Sequence, residues 1–130
     1  MTVLARGPGE HPFWYREYLF EKIRRLEFPG LPSRMAVAYA YEGLPPRDHA
    51  TESGQHTYVV TFDARCPAHR ADMSWITAVR ASRSFDQAEE CARQYWGGVP
   101  SRAPLWEWLV AGRLEVVAAV PDALDATDGT

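Results

Sequence analysis

Lysine is all but missing from this chain. Lys22 is the only one, against a lysine-plus-arginine total of 14 in 130 residues, and the net charge is −3. A chain with that balance is no broad binder of nucleic acid, and only a local arginine patch could serve that purpose. Cysteine is as scarce: Cys66 and Cys91 stand alone, without the spacing of a disulfide framework. A reduced, cytoplasmic protein is expected. No apolar stretch approaches the ~20 residues of a membrane helix, so no membrane partner is expected. The opening MTVLARGPGEHP lacks an apolar signal core, so no secretion signal is expected either. No internal repeat is visible, which excludes a solenoid. Neither standard glycine-rich phosphate loop occurs.

What is present suits one domain with a real core. Hydrophobic residues make up 46% and aromatics 12%. Residues 1–120 are read as that domain, and the acidic, small-residue stretch 121–130 as a disordered tail. The chain is organised around residues 19–41. Leu19, Ile23 and Leu26 draw an apolar stripe on a helix over 12–27, which starts at Pro12. Phe28-Pro29-Gly30-Leu31-Pro32 stops that helix, because proline disfavours the helical region for the residue before it. A strand over 35–41 follows. This corner would hold Ser33, Arg34 and Tyr39 in fixed places.

Further elements follow from local pattern. Residues 2–6 read as a weak first strand. A short helix is expected near His49 and Ala50. HTYVVTF at 56–62 is the clearest strand by β-branched and aromatic content. Residues 63–72 read as a loop and MSWITAV at 73–79 as a strand. Ser84 and Gln87 form a capping box that opens a helix running to about Trp96. Residues 105–110 and 114–120 read as a hairpin around Ala111-Gly112-Arg113. Strands that follow helices without regular alternation indicate an α+β chain with antiparallel pairing.

Several residues could carry chemistry. Glu107 lies between Trp106 and Trp108, on one face with Leu105 and Leu109. A carboxylate there is costly unless solvated, paired or used. It is an edge-strand glutamate facing water, a group that steadies a cationic, sugar-like transition state, or an acceptor for a ribose hydroxyl. Tyr39 and Tyr41 share a face and could form a wall for an aromatic ring or simply pack in the core. Arg34 and Arg6 are candidate anion holders. Asp63, Cys66, His69 and Asp72 recur at intervals of three. Structural zinc usually takes four Cys or His ligands, so this set is a poor metal site. Trp96, beside Gly97-Gly98, could line an opening or an interface.

As a set, FEKIRRLEFPGLPSR, AYAYEG, CARQYWGG and WEWLV with LEVV beyond it resemble a family of small uncharacterised bacterial proteins grouped with the ADP-ribosyltransferase-like fold. The resemblance covers about residues 18–117. It implies a split antiparallel sheet with flanking helices around an NAD-binding cleft. It also implies that NAD is a substrate and that ADP-ribose passes to an acceptor (protein, nucleic acid or small molecule). Glu107 matches the late-strand glutamate and Tyr39 the second-strand residue against nicotinamide. Arg6 matches the first-strand basic residue, although the usual His-Gly or Tyr-His start is absent. Ser33, Arg34 and Tyr41 complete the expected NAD contacts. The alternative is a catalytically inactive fold relative in a bacterial defence or toxin system, engaging a protein partner or a second copy of itself.

Overall fold

The computed structural model describes residues 13–43 and 57–120. Its helices are α1 (Phe13–Glu27), α2 (Ser74–Ala78) and α3 (Phe85–Trp96). Its strands are β1 (Ala38–Tyr41), β2 (Thr57–Thr61), β3 (Ala68–Asp72), β4 (Trp106–Val110) and β5 (Glu115–Val120). The chain is α+β. One sheet has the order β1-β4-β3, and β2 and β5 form a separate two-stranded ribbon. All these pairings are antiparallel. The expected strand at 2–6, the short helix near His49 and the tail at 121–130 lie outside the described residues.

Helix α1 buries Leu19, Phe20 and Ile23, whereas Leu26, expected on the same stripe, is exposed. The helix ends two residues before Phe28-Pro29 has run its course, and the Phe28 amide still donates to the Arg24 carbonyl at 2.8 Å. The corner is then pinned from the helix. Arg24 Nη1 donates to the Leu31 carbonyl at 2.8 Å, and Arg24 also grips Glu21. Ser33 Oγ donates to Glu21 Oε1 at 2.8 Å and accepts from the Met35 amide at 3.1 Å. With Arg24 as its strongest partner, and Ser33 and Arg25 adding to it, Glu21 is held down at about 2.

Helix α3 starts at Ser84, whose Oγ accepts from the Gln87 amide. It buries Ala88, Ala92, Tyr95 and Trp96. Trp96 is core and not an opening: it is 1% exposed, and its Nε1 donates to the Phe20 carbonyl at 2.8 Å. Phe20 meets Tyr95 edge-on at 5.1 Å, which locks α1 against α3.

Two expectations reverse. Residues 68–72 form strand β3 instead of a loop, paired along the whole of β4. Residues 74–78 form helix α2 instead of a strand. Ile76 and Val79, three apart, are the buried side chains there, which is helical spacing. Asp72 makes the junction. Its fully buried carboxylate accepts from the amides of Ser74, Ser101 and Leu105 at 2.9, 2.6 and 2.9 Å. Burial works against its charge, and these amides more than offset that, so its pKa is lowered.

The expected hairpin of the last two strands is also absent. β4 pairs with β1 and β3, while β5 leaves to pair with β2. The Ala111 amide donates to the Pro67 carbonyl at 2.8 Å, which extends the β3–β4 ladder. Gly112 then packs so tightly that a Cβ there would sit 2.5 Å from Cys66 Sγ. The segment is a corner between two sheets, and glycine allows the close approach.

Candidate functional site

Register places the site. Tyr41 pairs with Glu107, and Tyr39 with Leu109, across β1 and β4. On the other side of β4, Ala71 pairs with Glu107 and His69 with Leu109. These residues therefore share the sheet face that meets α1 and α3. β4 is the central strand, so Glu107 is no edge glutamate facing water. It is 4% exposed.

A buried carboxylate needs partners, and Glu107 has two. Arg34 Nη1 donates to its Oε2 at 2.9 Å, and Tyr95 Oη donates to the same oxygen at 2.5 Å. Arg34 Nη1 also donates to Tyr95 Oη. The other edge of the guanidinium lies on Glu17: Nε reaches Oε2 at 2.9 Å, and Nη2 reaches Oε1 at 3.1 Å. Glu17, on α1, is itself buried. Four side chains from α1, the corner, α3 and β4 thus form one polar node inside the core. Two carboxylates hold one guanidinium, Glu17 in the bidentate geometry that arginine favours and Glu107 through a single bond.

The node shifts its members. Burial raises Glu107, and Arg34 and Tyr95 pull in the opposite direction without cancelling it. Burial raises the Tyr95 phenol, with Arg34 opposing and Glu107 adding. For Arg34, burial opposes the charge, but the hydrogen bonds it donates to Glu17 and the charges around it win, so it stays protonated.

An open hollow of about 500 Å³ lies over the node, lined by Glu17, Arg34, Met35, Tyr39, Ala40, Tyr41, Met73 and Glu107. That is the size of a small-molecule cleft. The structure thus brings Glu107, Tyr39, Tyr41 and Arg34 to one place. Tyr39 Oη is tied to the Arg34 carbonyl, and the Arg34 guanidinium carbon lies 5.2 Å from the Tyr39 ring centre. Because Arg34 already faces two carboxylates, it is a poor partner for a phosphate and a good anchor for Glu107. Ser33 lines a neighbouring hollow of about 730 Å³ instead, with Tyr18, Lys22, Arg25 and Leu26; Glu17 and Met35 line both. Arg6 lies outside the described residues.

Glu17 and Tyr95 were not picked out in the sequence. Glu17 carries a signal, since it sits three residues before Phe20 on the buried side of α1. Tyr95 reads as an ordinary core residue of α3, and only the tertiary fold brings its hydroxyl to Glu107. The spaced set Asp63, Cys66, His69 and Asp72 is not gathered into a site. Asp63 pairs with Arg65 at 2.7 Å, His69 stacks on Trp96 at 5.5 Å, and Asp72 caps amides. Among the described residues no three Cys, His, Asp or Glu side chains are placed to hold a metal ion, and no helix there is long and apolar enough to cross a membrane.

No curated protein matches this chain. The model of one family, DUF2441, a protein of unknown function, matches residues 10–122. The chain belongs to that family.

Proposed function

We propose that the hollow over Glu107 binds the nicotinamide riboside end of NAD and that the protein cleaves the nicotinamide–ribose bond, passing ADP-ribose to an acceptor. The observation that carries this reading is the convergence of Glu107, Tyr39 and Tyr41 on one cleft of about 500 Å³. The phenol rings offer faces to a flat cationic ring. The carboxylate offers negative charge where the ribose becomes cationic. In the step itself, the bond from ribose C1′ to the pyridinium nitrogen breaks, and its electron pair leaves on neutral nicotinamide. The acceptor forms the new bond to C1′ and gives up its proton. Water as acceptor makes the same chemistry a glycohydrolase. On this reading the two antiparallel sheets are the halves of a split, ADP-ribosyltransferase-like sheet. Tyr95 and Arg34 position Glu107, and Ser33 and Arg6 serve the remainder of the dinucleotide.

The test is nicotinamide release from NAD. Wild type releases it, and Glu107→Gln falls by about a hundredfold or more, as loss of a charge aimed at a transition state does. No release above background by the wild type, or equal release by Glu107→Gln, rejects the reading. One observation favours a second reading, a catalytically silent interaction module. The β2–β5 ribbon exposes four large apolar side chains, Tyr58, Val59, Val116 and Val117, the kind of surface that marks a protein contact when it is contiguous. A stable protein complex lost on Val116→Glu, without NAD turnover, would support that module.

A further inference from the structure

Among the described residues the hollow is lined by two carboxylates, Glu17 and Glu107, and by one cation, Arg34. Arg34 gives one edge to each: Nε and Nη2 to Glu17, Nη1 to Glu107. Arg34 thus shares one positive charge between two carboxylates, and Glu17 draws off part of what would otherwise balance Glu107. We infer that Glu17 sets the charge of the ligand this hollow accepts. Two carboxylates against one guanidinium give the described lining an acidic excess beside Tyr39 and Tyr41, and an N-alkylated pyridinium is held in preference to a neutral ring of the same shape. Without Glu17, Arg34 cancels Glu107 and the preference disappears. This deepens the NAD reading, on which the identity of the ring rests.

Among the described residues, few charged and titratable groups surround Glu107. Arg34 and Tyr95 touch it, and Glu17 lies across the guanidinium. Tyr39 and Tyr41 share its face on β1. Arg16 on α1 does not line the hollow, yet its charge and that of Glu107 also feel one another. Glu17 raises Glu107, as a like charge must. The thioethers of Met35 and Met73 also line the hollow and carry no charge.

The experiment uses two probes that differ by one methyl group and one charge, the 1-methylnicotinamide cation and neutral nicotinamide, titrated into the full chain by NMR. Wild type binds the cation roughly tenfold more tightly, the scale of a ring–cation contact near an unscreened charge. Glu17→Gln brings the ratio close to one. Arg34 keeps Glu107 as its partner in the single variant, so no guanidinium is left unpaired, and Glu17→Asp, which keeps the charge, keeps the preference. An unchanged ratio in Glu17→Gln, or a Glu17→Asp variant without the preference, overturns the inference. The Glu107 carboxyl carbon is titrated in the same samples, and its pKa falls in Glu17→Gln. If that fall occurs while wild type binds neither probe, the charge role of Glu17 stands and the NAD reading fails. If the pKa does not move, the charge role fails whatever binds.

Discussion

The two antiparallel sheets are made of opposite materials and put to opposite uses. The β1-β4-β3 sheet contains AYAY, AHRAD and WEWLV, short segments with charges and alanines. One face is closed by α1 and α3, and that covered face holds Glu107 and the node. The β2–β5 ribbon contains TYVVT, made entirely of residues inclined to form strands, and EVVAAV, with three valines. Yet every residue of β5 before Val120 is exposed, and Tyr58 and Val59 of β2 lie open as well. Strand propensity and burial part company here. The sheet that looks weak in sequence is stable because its polar groups are partnered inside a packed layer. The ribbon that looks strong is a pair of strands, a unit of marginal stability by itself.

That contrast can be broken most forcefully at Arg34. Replacing Arg34 by Met leaves Glu17 and Glu107 buried without their cation. The loss in urea unfolding is about 3–5 kcal/mol, the usual result of removing one partner of a buried ion pair. A loss below about 1 kcal/mol would mean that the node is solvated and not part of the core. Next comes the corner between the sheets. Gly112→Ala costs about 1–3 kcal/mol from overpacking against Cys66, and adding Cys66→Ala regains most of it in thermal melts. If the second change regains nothing, the contact with Cys66 is not what holds that corner.

A smaller effect is expected in acid. Glu21, held at about 2 by Arg24, Ser33 and Arg25, has a folded pKa below its unfolded value. It therefore contributes stability that is full above the unfolded carboxylate range and is lost as pH falls toward about 2. The contribution is on the order of 1 kcal/mol, because Arg25 is largely exposed and screened. Glu21→Gln should flatten the stability–pH curve below pH ~4.5, where a free glutamate titrates; an unchanged slope there would remove Glu21 from the account. His69 acts in the same direction at higher pH. Burial lowers it, so its contribution is present above its ordinary value and fades as pH falls through the lowered one. The ribbon supplies the smallest effect. Val117→Thr, on an exposed strand, changes stability by no more than about 0.5 kcal/mol. A larger loss would show that something covers this surface in solution.

The comparison also explains what could be read in the chain beforehand. α1, the proline corner and α3 rest on local signals: helical spacing, Phe28-Pro29 and the Ser84–Gln87 cap. Tyr39, Tyr41 and Glu107 meet because alternation on β1 and β4 is also local, and the register adds only the pairing. β3 was hidden because Pro67 precedes it and Ala68, His69 and Arg70 carry no strand preference. It forms because β4 offers it a full ladder and Arg70 lies over Trp106 at 3.8 Å. MSWITAV suggested a strand by its Trp, Ile, Thr and Val, but Asp72 bonding the Ser74 amide starts a helix there. Glu17 and Tyr95 depend on packing between α1, α3 and β4, which no local pattern records.

The measurement that bears most directly on the central claim is a titration of ring-labelled tyrosine with NAD, followed by NMR. The account predicts saturable shifts at Tyr39 and Tyr41, small effects at the exposed Tyr58, and loss of the shifts in Glu107→Gln. Shifts at Tyr58 alone, or none at Tyr39 and Tyr41 with NAD in large excess, would contradict it.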